Sequence, residues 1–289
     1  MTKSAVLFNP QVVVEAGDHR DLYESFTEVR RAFGEASDVL GFDLADAFFS
    51  ADVDRINRGE IVRPASLAIA SAIFRMVVDR FGEPDYIAGL SLGEIVAGHL
   101  SGAMGFADAV RIAHLMPRIE DEVCGGLGLG VAFYYGVDVR GLERDMADLV
   151  DEGAVLSPCA HTADDQMIVT GRNSDLNALN RRAMLAGGIG VIIPHGPPAH
   201  SPLPVLAQIQ RRFRDEHRYL EPVRSPRIPM VANTTAELLT TADHVMDEYV
   251  SQYTRTVHWT RGLRRMWDLG VRRVRIIGPG HFVMKSLRS

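Results

Sequence analysis

Ser91 stands between two glycines in "GLSLGE", residues 89–94, and this spacing marks a candidate nucleophile. A G-x-S-x-G run where a strand passes into a helix forms a tight turn that lifts the serine hydroxyl clear of the backbone. Gly89 and Gly93 suit that turn because side chains there would collide. The hydroxyl then sits at a helix N-terminus, where free N–H groups and the helix dipole favour a developing oxyanion. The backbone N–H of Leu92 is the natural first donor. The plainer reading of Ser91 is an N-cap in an ordinary turn. A serine nucleophile needs a base, and the chain has 10 histidines. His99 and His114 fall inside helical stretches, and His19, His217 and His244 lie in polar segments. His200 in "PHGPPAHSPL" is the first candidate, on a loop stiffened by Pro197, Pro198 and Pro202, with His195 as its local rival.

The elements around Ser91 read as α/β. "SAVLFNP" and "DYIAGL" are short buried strands. "IVRPASLAIASAIFRMVVDRFG" has a helical period that puts Leu67, Ala70, Phe74, Val77 and Phe81 on one face and stops at Gly82 and Pro84. "GEIVAGHLSGAM" continues as a helix after Ser91. From residue 128 the rhythm changes to strand, helix, two strands, helix, strand, the last helix starting at an Asn/Ser cap. That βαββαβ order is ferredoxin-like. The expected division is 1–127 and 197–289 for a large α/β subdomain and 128–196 for a small inserted one. A helix over "PLPVLAQIQRRFRDEH", a strand over "RIPMVANTT", a helix over "VHWTRGLRRMWDLG" and a strand over "VRRVRIIGPG" complete the large part.

Composition narrows the function classes. Hydrophobic residues make up 46% of the 289, and mean hydropathy is near zero, as in an ordinary globular chain. No secretory signal pattern and no run of about 18 apolar residues is read from the sequence, so a cytoplasmic protein is expected. Cys124 and Cys159 have no metal spacing and are expected to be free thiols. The net charge of −6 argues against nucleic-acid binding. The cations are almost all arginine, which a compositional bias explains. They also cluster late, at Arg211, Arg212 and Arg214, at Arg261, Arg264 and Arg265, and at Arg272, Arg273 and Arg275. Such groups suit an acidic partner.

With these residues in place, the chain resembles the malonyl-CoA:acyl-carrier-protein transacylases and the acyltransferase domains of polyketide synthases. "GLSLGE" matches their serine box and "AHSPL" their histidine box; "PMVANTTAE", "SQYTRTVHWTRGLRRMWDLGV" and "IIGPGHF" match later segments. The resemblance implies an α/β-hydrolase-like large domain with an inserted ferredoxin-like small subdomain. It makes His200 the base and implies that the backbone carbonyl of Gln252 orients it. It aligns Gln11 with the second oxyanion donor, in "FNPQVVVE", which lacks the family's glycines. Malonyl-selective members carry an arginine 25 residues after the serine, where this chain has Met116. A thioether cannot pair with a carboxylate. Arg118, two positions on, faces elsewhere on a helix. Arg63 replaces a site glutamine and is the one nearby cation that could take the missing arginine's place. Pro198, just before the base, and Gln166 are further substrate-side positions.

The expectation is an acyl-serine enzyme that moves an acyl group lacking a free carboxylate between pantetheine thiols in polyketide or related biosynthesis. No metal or tightly bound cofactor is implied; the substrates are phosphopantetheine-linked acyl thioesters. The expected partners are an acyl carrier protein, with acyl-CoA as the alternative donor, and no nucleic acid and no membrane. Arg211, Arg212, Arg264, Arg265, Arg272 and Arg273 are the candidate carrier-docking residues. The alternatives are an acyl-thioester hydrolase that clears stalled chains and a non-catalytic carrier-docking module.

Overall fold

The computed structural model describes residues 2–217 and 222–287. The chain opens on β1 (Lys3–Phe8), followed by four helices, α1 (Arg20–Ser25), α2 (Thr27–Leu40), α3 (Leu44–Phe48) and α4 (Val53–Ile56). Then come α5 (Gly59–Phe81), β2 (Tyr86–Gly89), α6 (Leu92–Leu100) and α7 (Phe106–Cys124). The middle of the chain forms β3 (Leu129–Tyr135), α8 (Val139–Asp151), β4 (Leu156–Ala163), β5 (Gln166–Arg172), α9 (Asn173–Leu185) and β6 (Ile189–Ile192). The last third holds α10 (Pro204–His217), β7 (Met230–Val231), β8 (Leu238–Leu239), α11 (Ala242–Ser251), β9 (Val257–His258), α12 (Trp259–Asp268), β10 (Val271–Ile277) and α13 (Phe282–Ser286).

The strands form two sheets, so the fold is mixed α/β. The first has the order β10-β1-β2-β7-β8. β1 runs parallel to both its neighbours, and its residues from Ser4 to Phe8 are all buried. The apolar run Ala5–Phe8 within it is what a strand covered on both faces requires. The pairing of Phe8 with Gly89 sets the end of β1 beside the turn that carries Ser91. The helices α2, α5 and α7 pack against one another beside this sheet. Val29, Ala32, Phe33 and Ala36 form the buried stripe of α2, at the spacing that puts one helix face into a core.

Helix α5 departs from the expected one-sided pattern. Every residue from Ile61 to Ala72 is buried, Arg63 included. Leu67, Ala70 and Phe74 lie in the core, whereas Phe81 is 55% exposed, with the Arg275 guanidinium over its ring. The helix is enclosed on all sides through its first half and emerges only at its end. By length and composition α5 reaches the threshold of a membrane span, which corrects the expectation that no stretch would. With 72% of that window buried inside the protein, it is a core helix.

The second sheet has the order β6-β3-β5-β4-β9. The first four strands and α8 and α9 follow the βαββαβ order, with β3 antiparallel to both β5 and β6. The fifth strand, β9, comes from the far end of the chain and joins β4 in parallel. Residues 129–192 therefore do not complete this sheet by themselves. Alternation along the strands separates its two faces. Ala132, Tyr134, Met167 and Val169 pack against α8 and α9, and Val131 and Ile168 face the opposite way, toward the cavity beside Ser91. Helix α9 has no side-chain cap; its N-cap residue is Arg172, in place of the expected Asn/Ser cap.

Candidate active site

Ser91 occupies the sharp turn between β2 and α6, with φ 56° and ψ −114°. A non-glycine residue in this region carries strain of about 1–3 kcal/mol and persists only where its surroundings dictate it. Here they do. A Cβ on Gly89 would lie 1.8 Å from the Gly93 carbonyl oxygen, and one on Gly93 would lie 2.6 Å from that of Phe8. Both positions must be glycine for β1, β2 and α6 to meet. The Leu90 N–H donates to Phe8 O at 3.1 Å, and the Glu94 N–H donates to Ser91 O at 2.8 Å. Leu92 opens α6, so its N–H has no helix carbonyl to receive it.

Two residues without an assigned role in the sequence reading brace this turn. The Asn233 side chain donates to Gly89 O at 2.8 Å and accepts from the Ser91 N–H at 3.4 Å. The Asn233 N–H donates to Glu94 Oε1 at 3.1 Å. Glu94 is wholly buried, and burial, with Glu248 nearby, raises its carboxyl well above the usual range. Thr234, next in the chain, donates its N–H and hydroxyl to Glu248 of α11 at 2.7 and 2.6 Å. The loop after β7 thus grips the helix that begins at Ser91 and also the helix that ends at Gln252.

That second helix end meets His200. Gln252 caps α11, and its carbonyl accepts from His200 Nδ1 at 2.8 Å. A carbonyl can only accept, so the ring proton sits on Nδ1 and leaves Nε2 with a lone pair. Nε2 lies 2.7 Å from Ser91 Oγ. The carbonyl belongs to the negative end of a helix, which favours the charge the ring gains when it takes a proton. Burial lowers the His200 pKa from 6.5 to about 4; the Gln252 carbonyl opposes this and Arg63 adds to it. The imidazole is therefore neutral, and able to accept a proton, throughout the neutral range. Its rival His195 lies elsewhere, 39% exposed and 3.6 Å from Asp54. His99 and His114 face backbone carbonyls of Met104 and Glu60. The His217 side chain lies outside the described residues.

A cavity of about 150 Å³ opens beside Ser91 and His200. Its walls are mostly apolar and include Leu90, Met116, Val131, Ile168, Ile193 and Phe282. Gln11, Leu92 and Gln252 also border it. Cys159 does so too, but burial pushes its thiol up to about 12, too high for a thiolate nucleophile at neutral pH. Met116 is 8% exposed, whereas Arg118 on the same helix points to solvent. Pro198 is buried behind the wall formed by its neighbours Pro197 and Ala199. Gln166 pairs within the second sheet and does not border the cavity.

Arg63 borders the cavity but is already engaged. Its Nη1 and Nη2 donate to the two carboxylate oxygens of Glu120 at 3.1 and 2.6 Å, and its Nε donates to Gln11 Oε1 at 2.6 Å. Both members of the ion pair are about 93% buried on their side chains. Burial pushes the Glu120 carboxyl up, and the facing guanidinium opposes the shift. Glu120 lies one helical turn after Met116. Sequence reasoning missed it because nothing in its own segment marks its partner, 57 residues away.

The candidate docking arginines are scattered on the surface. Arg212 pairs with Glu122 and Glu216, Arg264 with Asp164, and Arg272 packs over the Trp267 ring. Arg211, Arg265 and Arg273 are exposed.

No family model matches the chain. It is 27% identical over 283 residues to the malonyl-CoA–acyl-carrier-protein transacylase of Escherichia coli strain K12, covering 97% of this chain and 90% of the relative. A solved complex of a type II polyketide-synthase acyl carrier protein with its malonyl-transacylase matches with a TM-score of 0.91 and 24% identity, covering 99% of this chain and 92% of that one. The acyltransferase domain from the second module of the salinomycin polyketide synthase matches with a TM-score of 0.84 and 24% identity, over all of this chain and 66% of that one. Along almost its whole length the chain is similar in sequence to a malonyl-CoA–acyl-carrier-protein transacylase, and it shares its fold with the solved malonyl-transacylase and with the polyketide-synthase acyltransferase domain.

Proposed function

We propose that the protein is a serine acyltransferase that moves a neutral acyl group between pantetheine thiols, one of them on an acyl carrier protein, in polyketide or related biosynthesis. The observation that carries this reading is the relay from Ser91 Oγ to His200 Nε2 and from Nδ1 to Gln252 O, at 2.7 and 2.8 Å, beside an apolar cavity. His200 Nε2 takes the Ser91 proton as Oγ attacks the thioester carbonyl. The oxyanion is held by the N–H of Leu92 and by that of Gln11. The intermediate collapses to the acyl-serine, and the thiol leaves with the proton returned by His200. A second pantetheine thiol gives its proton to His200, attacks the acyl-serine, and Ser91 recovers its own. Were water the acceptor, the same steps would make a thioester hydrolase.

The wall supports a substrate without a charge. Met116 offers no partner to a carboxylate, and the Arg63 charge is matched by Glu120. A hydrogen bond between charged groups contributes about 1.5–3 kcal/mol, and each ~1.4 kcal/mol is a factor of ten. In competition between pantetheine thioesters, butyryl is therefore expected to exceed malonyl by about tenfold or more in kcat/KM. A malonyl preference in the wild-type protein would overturn the neutral-acyl reading. The cavity volume also suits a small group, since a hole of about 150 Å³ accommodates benzene.

The carrier protein is proposed to approach the exposed late arginines. Arg212 and Arg264 already have partners, so the stronger effects are expected at Arg211, Arg265 and Arg273. Charge reversal there should slow transfer to the carrier severalfold at low salt and leave reaction with free pantetheine thioesters unchanged. The loss should shrink above about 0.1 M salt, where exposed charges are screened beyond about 10 Å. Carrier kinetics that stay the same in all three variants would return these arginines to a solvated surface.

A further inference from the structure

We propose that Glu120 is a specificity-determining residue: by occupying Arg63, the only cavity-wall cation among the described residues, it denies that cation to a substrate carboxylate and restricts Ser91 to uncharged acyl groups. The inference rests on the neutral-acyl reading above and names a residue that enforces it.

The geometry sets up the competition. Arg63 borders the same cavity as Ser91 and His200, and its charge is close enough to lower the His200 pKa. A guanidinium in that place would serve a malonyl-type carboxylate if its fork faced the cavity unpaired. Instead the fork is bonded to both Glu120 oxygens. An incoming carboxylate would have to displace Glu120, stranding a buried anion, or lie beside it as a second negative charge. Both are unfavourable away from water. Met116, one turn earlier on α7, leaves the adjoining wall apolar. The pair is thus electrically closed toward the substrate, although it contains a cation.

The third Arg63 bond explains why Glu120 is the better residue to change. Nε holds the Gln11 side chain, and Gln11 is the proposed second oxyanion donor. Removing Arg63 alone would disturb the oxyanion loop along with specificity. Removing the Glu120 charge leaves the Arg63–Gln11 bond available and presents the guanidinium to the cavity.

The test measures single-turnover acylation of Ser91 by malonyl and butyryl pantetheine thioesters. It compares the wild type, Glu120→Gln, and the double variant Arg63→Gln/Glu120→Gln. The malonyl-to-butyryl ratio is expected to rise at least about tenfold in Glu120→Gln, as the gain of one charge-assisted contact does, and to return toward the wild-type value in the double variant. A ratio unmoved in Glu120→Gln, or raised equally in the double variant, would overturn the proposal. Breaking a buried pair can destabilise the fold, so a second readout is thermal unfolding with added malonate. Malonate should raise the Tm of Glu120→Gln, where it supplies the missing carboxylate, and leave the wild type unmoved. Equal or absent shifts in the two proteins would also overturn it. A wild-type protein that already prefers malonyl would refute the underlying reading. A wild type that prefers butyryl, with a ratio that Glu120→Gln does not change, would refute the role of Glu120 alone.

Discussion

Replacing Ser91 with alanine is expected to abolish the acyl-enzyme and to lower thioester turnover by about four orders of magnitude or more, as loss of a covalent nucleophile does. The turn itself should survive. Gly89, Gly93 and the Asn233 bonds to Gly89 and Ser91 hold the backbone, and none of these depends on the Ser91 hydroxyl. The loss falls instead on His200 Nε2, which is left buried without its partner. An unpaired buried polar atom costs about 1–3 kcal/mol, so a modest drop in Tm should accompany a folded, inactive protein. Circular dichroism separates that outcome from unfolding. An alanine variant that still forms a covalent acyl adduct would show that another residue is the nucleophile.

His200→Ala is expected to slow acylation by about 10²–10⁴-fold, the range general-base catalysis supplies. His195→Ala should stay near wild type, because its contact with Asp54 is at the surface and such pairs contribute only about 0–1 kcal/mol. The pH profile of the wild type gives a second reading of the same residue. His200 is lowered to about 4 by burial. The base is active when neutral, so activity is present above that value and lost as pH falls through it. The acid limb of kcat/KM should therefore lie near pH 4, well below the ordinary histidine range around 6.5. A limb at 6.5, or a His195 variant slower than the His200 variant, would reassign the base.

The sequence carried some of these features openly and hid others for physical reasons. The elbow was legible because two close backbone approaches demand glycine on either side of Ser91, and that demand shows as a short local pattern. The strands β1, β2 and β3 were legible as apolar runs or alternations between turn residues. Helices α3 and α4 were not: they have 5 and 4 residues, too few for a period, and are marked by caps from Asp43 and Asp52. The enclosure of α5 was hidden because a helix buried on all sides has no stripe to read. The junction of β9 with β4 involves two residue pairs, again below any period. Within the site, the serine and the histidine each lie in a distinctive local segment. The braces do not. Asn233 meets Gly89 across 144 residues, and Glu120 meets Arg63 across 57. Such partners become visible only when the chain is folded.

The central claim is that Ser91 carries the acyl group between two thiols. Intact-protein mass spectrometry after incubation with butyryl pantetheine thioester, with peptide mapping of the product, tests it most directly. The protein should gain the mass of one butyryl group, mapped to Ser91, and lose it to an added acyl carrier protein thiol faster than to water. No adduct, or an adduct on any other residue, would contradict the account; loss to water as fast as to the carrier would make the protein a hydrolase.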